Sequence, residues 1–582
     1  MSDNQSNLSG PGVILQAFYW NVPSPNDNES SASVWWWDHL ASQTNSFAKA
    51  GFTAIWIPPV YKGMNGVSSS GYDPFDDYDI GNKDQKGSIP NRYGSREQLQ
   101  QACAKFRANG LDIYADIVDS HRDGHDNSDF GFHYVNFEGT PNTGRFGKSN
   151  RDFNPTAPAD PSIPDQNGRD SDGDWIMPTT GGETIINGQK WIWADYGMKQ
   201  ALIWLINALD LQGFRFDEVC SIPPGWLYSL MNYQIAAGKF CVSEYWITDE
   251  NKLDNWVNTM QARTCAFDFP LRENYIAPMC NNPASFNMSS LNSAGYVGMN
   301  SFNAVTFVEN HDTDNSSDKI YANKLLGYAF ILTSEGYPCV FYRDWSTEPG
   351  CYGNGMQAQI NKLIAIHQKI ASGKTVQRWQ NKSIYCYERI GGNHLLTALN
   401  AAENIQTITC ATGFPPNTVL TDYTGNQPDI NTDSNGNVTI SIPGLGYVSY
   451  SVANIDLSIP AKSYLTTQVY EGACDLDIEP ATSEKQVNVC TVLVSPGSDM
   501  TAALEFDCED WSTSTRIDVT IIDESGNIVI DHSYSKTAEQ GSQFVSRNLT
   551  EGKYTITVQS FDTPATNRSP AYSLSVTYLS QP

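Results

Sequence analysis

The chain has 582 residues and a formal net charge of −28, with 40% of its residues hydrophobic and 12% aromatic. That much apolar material excludes a disordered chain, and that much negative charge excludes nucleic acid, whose phosphates would be repelled. The length exceeds what one hydrophobic core supports, and the absence of any apolar run of about 18 residues argues against a membrane span or a membrane partner.

The opening segment MSDNQSNLSGPG has neither the basic nor the apolar stretch of a secretory signal. It reads as cytoplasmic, or as secreted if a signal has been removed. The cysteines show no CxxC pair, and Cys474, Cys490 and Cys508 form an odd set near the end, which leaves the redox compartment open. A monomer is expected.

Taken in chain order, the first 375 residues alternate strand-like and helix-like runs. VILQAFYW (13–20) reads as a strand, and the helical VWWWDHLASQTNSFAKAG that follows is closed by a glycine. FTAIWIPPV (52–60) is a second strand. SREQLQQACAKFRANG (95–110) is a second helix with Ser95 placed as its N-cap. LDIYADIV (111–118), FRFDE (214–218), KFCVSEYW (239–246), RTCAFDFP (263–270), AVTFVENHD (304–312) and YPCVFYRDW (337–345) complete eight strands. Most are continuously apolar, as expected of a parallel sheet covered on both faces. No GxGxxG follows any of them, so a (β/α)₈ barrel is preferred over an open doubly wound sheet.

Residues 119–198 interrupt the alternation with a stretch rich in Gly, Asp, Asn and Pro, read as an inserted domain after the third strand. After residue 376 the helical period gives way to alternating strands. The expected organisation is a barrel at 1–119 and 191–375, an insert at 120–190, a β-sheet domain at 376–455 and a β-sandwich at 456–582. A hairpin is expected around Ser525-Gly526-Asn527.

In a barrel, chemistry sits at the C-terminal ends of the strands. The third strand delivers Asp116 and His121, the fourth Arg215 and Asp217, the fifth Glu244, and the seventh His311 and Asp312. For any one of these, a polar turn facing solvent is an adequate explanation. Four strands sending carboxylates, imidazoles and a guanidinium to one rim are not explained that way. Carboxylates without a Cys or Ser nucleophile fit glycoside hydrolysis, in which one attacks the anomeric carbon and a protonated second one serves the leaving oxygen.

These residues fall in four ordered motifs that resemble the α-amylase family, glycoside hydrolase family 13. DIVDSH (116–121), GFRFDEVCS (213–221), EYW (244–246) and FVENHD (307–312) match its motifs, and GYDPFDDYDIG (71–81) looks like its early aromatic loop. The resemblance spans roughly residues 12–455. It implies a retaining hydrolase of α-1,4-glucans such as starch, glycogen or maltooligosaccharides. Asp217 would be the nucleophile, Glu244 the acid/base and Asp312 the stabiliser of the transition state. His121 and His311 would bind sugar hydroxyls, Arg215 would keep Asp217 charged, and Tyr72 would stack on the sugar ring. Asp116 would be structural.

The chain departs from the family pattern at Ser120, where an Asn that ligates structural calcium is usual, and at Cys220-Ser221 in place of Lys-His. The implied Ca²⁺ has Ser120, Asp174 and Asp195 as candidate ligands, since calcium takes six to eight oxygens. Two other readings stand beside hydrolysis: a transglycosylase of the same fold, and a carbohydrate-binding protein that has lost activity. The tail is either a polymer-binding module using Trp511, Tyr554 and Tyr572, or a structural one in which the tyrosines are core.

Overall fold

The structure is a computed structural model that describes residues 12–25, 32–121, 125–127, 132–134, 183–186, 189–192, 197–473, 485–495, 498–506, 516–535, 543–561 and 571–582. Asp174, Asp195 and Trp511 lie outside the described residues.

Eight parallel strands close a barrel: β1 (Ile14–Gln16), β2 (Ala54–Ile57), β3 (Asp112–Ile117), β4 (Gly213–Phe216), β5 (Phe240–Ser243), β6 (Cys265–Phe267), β7 (Ala304–Phe307) and β8 (Tyr337–Phe341). Each pairs with its chain neighbours, and β1 closes the ring on β8. Side chains alternate between the barrel interior and the helix layer, so neither face meets water and the strands are apolar throughout. The expected strand 304–312 ends at Phe307. Asn310 turns the chain there, its Oδ1 accepting from the backbone N–H groups of Asp312 and Thr313 at 3.0 and 2.8 Å.

The helix layer includes α1 (Trp36–Ala50), α2 (Arg96–Ala108) and α3 (Met198–Leu209). Gly51 ends α1 with φ +99°, which a side chain would resist. Ser95 caps α2 in a reciprocal pair with Gln98, as its position in the sequence suggested.

Register sets the site. Arg215 on β4 pairs directly with Asp116 on β3 and Val242 on β5. With a two-residue repeat along each strand, Asp217 falls on the same side as Arg215, and Glu244 stands level with it on the next strand.

Strands from Lys374 to Val452 form a six-stranded sheet and a two-stranded one, enclosing a core that includes Leu396, Ile408, Leu420, Ile440 and Val448. From Thr466 onward two four-stranded antiparallel sheets enclose a second core, including Val492, Leu504, Ile521, Ile556 and Val576. The expected hairpin is present, with the Asp523 side chain accepting from the N–H groups of Ser525 and Asn527. Tyr554 is buried in this core, and its hydroxyl donates to the Thr550 carbonyl.

The tail does not hang free of the barrel. Gln468 is buried and donates to the Gln100 carbonyl on α2, Tyr464 N–H donates to the Arg107 carbonyl, and Ala104 of α2 belongs to the sandwich core.

Candidate functional site

Arg215 is almost fully buried and joins the β3, β4 and β5 strand ends. Its Nη1 donates to Asp116 Oδ1 and Asp217 Oδ1, each at 2.7 Å, and its Nη2 lies 2.7 Å from Glu244 Oε2. One cation is thus divided among three carboxyls.

The other Asp116 oxygen is taken by Tyr72 Oη at 2.8 Å and Trp56 Nε1 at 3.1 Å. With both oxygens engaged and no exposed surface, Asp116 organises the site from behind. Glu244 differs. Oε2 receives Arg215 and the Glu218 N–H, while no donor among the described residues reaches the buried Oε1.

Burial pushes Glu244 up to about 7, against the pull of Arg215 and with the help of Asp217. Burial likewise pushes Asp217 and Asp116 up to about 6 each, again opposed by Arg215. Arg215 lowers all three, but a shared cation does not offset the loss of water around them. Asp312 is raised by burial and then by the Glu244 charge.

Glu218 follows Asp217 in the left-handed region at φ 42°, which is costly for a side chain this size. That conformation aims its N–H at Glu244. Cys220 donates its thiol to Glu218 Oε1 at 2.6 Å. A carboxyl–thiol pair therefore stands beside the site, with Cys220 at the first of the two positions where the resemblance leads one to expect Lys and His.

Both imidazoles are held within the protein. Gln16 Nε2 donates to His311 Nδ1 at 2.8 Å, so the remaining proton sits on Nε2, which points toward Asp312 Oδ2 at 3.4 Å. Burial holds His311 well below its ordinary value and keeps it neutral. His121 Nε2 bonds the Tyr72 carbonyl at 2.6 Å, an acceptor, so this nitrogen carries the proton in the neutral ring and Nδ1 accepts from Ser120 Oγ at 2.9 Å. His121 thereby ties the third-strand end to the backbone of Tyr72. The Tyr72 ring stacks on His311 at 5.3 Å, and Trp20 leans on both.

All seven sequence-predicted catalytic and substrate-binding residues lie around this rim. Trp20, Trp56 and Gln16 also line it and escape a reading based on charged strand ends; reading the ends of β1 and β2 by the same positional rule would have found them.

The expected calcium ligands fare differently. Ser120 is buried with its hydroxyl turned to His121, an orientation suited to fixing an imidazole tautomer. Among the described residues no group of three or more His, Cys, Asp or Glu is placed to hold a metal ion. The described donors do not by themselves make up the six to eight oxygens that calcium takes. No described helix is long and apolar enough to cross a membrane.

The family described as Alpha-amylase C-terminal matches residues 395–452. An alpha-amylase from Bacillus licheniformis is 30% identical over 447 residues, which cover 67% of this chain and 82% of that protein. The cytoplasmic alpha-amylase of Escherichia coli (strain K12) is 27% identical over 491 residues, covering 74% and 97%. Among solved structures, the gamma-CGTase from alkalophilic Bacillus clarkii superposes with a TM-score of 0.56 at 16% identity, over 94% of this chain and 97% of that one. An alpha-amylase from Malbranchea cinnamomea gives 0.56 at 15% identity, over 76% and 96%. Those two likenesses concern the fold.

Proposed function

This chain belongs to the α-amylase family, and from that membership we propose how its site works. The chain is a glycoside hydrolase that cleaves α-1,4-glucosidic bonds in glucans and maltooligosaccharides. Asp217 is the nucleophile, Glu244 the acid/base and Asp312 the transition-state stabiliser.

A bound glucan places its scissile linkage between Asp217 and Glu244. The Asp217 carboxylate attacks the anomeric carbon as the glycosidic bond breaks. Glu244 passes its proton from Oε1 to the departing oxygen, so the leaving sugar exits neutral. Glu244, now ionised, takes a proton from water, whose oxygen attacks the same carbon. This releases Asp217 and returns the proton to Glu244. Asp312 accepts hydrogen bonds from the sugar hydroxyls and offsets positive charge on the ring in both transition states. His311, neutral with its proton on Nε2, is a donor to those hydroxyls. Tyr72 offers a half-buried ring to the sugar, fixed by Asp116 and His311.

The observation that carries this assignment is the Arg215 fork, which holds Asp217 and Glu244 side by side while burial keeps Glu244 protonated near neutrality. Two displacements at one carbon retain its configuration, so proton NMR during early hydrolysis of maltooligosaccharides gives α-anomeric products first. β-Anomer as the initial product contradicts the two-step route. Longer oligomers in the same time course mark transfer to a sugar hydroxyl in place of water.

The family resemblance also implies structural calcium. That reading rests on Asp174 in the insert and Asp195 just after it, with Ser120, whose hydroxyl bonds His121 Nδ1, as the third candidate.

A further inference from the structure

We propose that Trp20 is a positioning residue for the reaction: its indole N–H engages one oxygen of Asp312 and so fixes the plane of that carboxylate, leaving the other oxygen toward the sugar. The inference rests on the stabilising role assigned to Asp312.

Trp20 lies just past β1, on the side of the barrel that β1 shares with β7 through β8. Its Nε1 donates to Asp312 Oδ1 at 3.1 Å. The Asp312 side chain keeps 29% of its surface exposed, and among the described residues its Oδ2 meets only the longer approach of His311 Nε2 at 3.4 Å. Oδ2 is therefore the oxygen left for hydroxyls. Without the indole, the carboxylate would turn about its terminal torsion, which has no strong preference.

Trp20 is itself fixed. Its ring meets Tyr72 at 5.1 Å and His311 at 5.2 Å, and those two are anchored by Asp116 and Gln16. An indole suits the task because its N–H only donates. It favours the charged carboxylate and offers no acceptor to compete for sugar hydroxyls.

Trp20→Phe keeps a ring and removes the donor. The expected result is a fall in kcat of about tenfold or more, with KM changed less than about threefold, because a hydrogen bond to a charged group is lost while the ring wall stays. Asp312 faces Glu244, Arg215, His311 and Tyr72; burial and the Glu244 charge raise it, while Arg215 and then the Trp20 hydrogen bond lower it. The acid limb of kcat/KM should therefore move to higher pH. A purely packing role would move neither kcat nor that limb at temperatures where the variant is folded. Trp20→Leu supplies the same reading if the phenylalanine variant fails to fold. Asp312→Asn separates the two levels. If it stays active, the role of Asp312 is wrong; if it is inactive while both Trp20 variants keep normal kcat and pH profile, the inference about Trp20 is overturned.

Discussion

Glu309 and Asp312 stand three residues apart on one loop, yet they belong to opposite kinds of buried charge. Around Glu309 the charges balance. Arg272 Nη2 reaches Glu309 Oε1 at 2.6 Å, Lys324 bridges Glu309 and Asp344, and the Ile320 N–H and the Tyr328 hydroxyl satisfy further oxygens. Two buried cations meet two buried carboxylates, and Arg272 Nη1 also pairs with the half-buried Glu273 at 2.8 Å. Around Arg215 one cation serves Asp116, Asp217 and Glu244, with Asp312 beyond them. In the balanced cluster burial also raises Asp344, against the pull of Lys324. The overloaded one holds carboxyls pushed up to about 6 and 7, where chemistry near neutral pH needs them. Both clusters are buried; they differ in how many cations stand beside the buried carboxyls.

Breaking each cluster should give opposite results. Asp217→Asn removes the proposed nucleophile, and a loss of about four to six orders of magnitude in kcat is expected in steady-state assays on maltooligosaccharides. The same substitution should raise the melting temperature above pH 7. The folded value of Asp217 lies above its unfolded one, so the stability it contributes is present at low pH and lost as pH rises through about 6. An amide avoids that cost, worth about 1–3 kcal/mol. Calorimetry at pH 8 and pH 5 checks this, with the advantage of the variant shrinking at the lower pH.

Glu309→Gln should do the reverse. It leaves Arg272 and Lys324 short of a buried partner, and a destabilisation of about 3–5 kcal/mol is expected in thermal melts. Folded variant enzyme should keep its kcat. A large loss of kcat without a loss of stability would show that the two clusters do not divide the work in this way.

The pH profile sharpens the contrast with a smaller effect. Activity of the parent enzyme should fall about tenfold per pH unit beyond each limb. The acid limb lies between about 6 and 7, where Asp217 and Asp312 take up protons, and the alkaline limb near 7, where Glu244 loses its own, so the profile is narrow. Because these groups share Arg215, each limb belongs to the cluster. Glu309→Gln should leave both limbs in place.

Much of the site was legible because a barrel turns strand ends into one rim, so Asp217, Glu244, Asp312, Arg215 and His311 could be gathered by position alone. The division within that rim was not legible. Glu309 looks as reactive as Asp312 in the string ENHD, and only the side chains of Arg272 and Lys324, distant in sequence, reveal it as an ion-pair partner. Trp20 and Gln16 read as ordinary strand residues until the closure of β1 against β8 sets them beside the seventh-strand loop. Ser120 suggested a weak metal ligand; the direction of its hydroxyl, which no spacing encodes, makes it the partner of His121. The tail was legible as a sandwich from its alternation, while its seat on α2 depends on buried contacts such as Gln468 with Gln100.

The central claim is that Asp217 forms a covalent bond to the sugar. A fluorinated maltosyl fluoride tests it directly, because the ring fluorine slows breakdown of the intermediate while fluoride leaves without help from the acid. Incubation with the Glu244→Gln variant, followed by intact mass and peptide mapping, should show one glycosyl unit added to the peptide containing Asp217. Turnover of the reagent with no adduct, or an adduct on any other residue, would contradict the account.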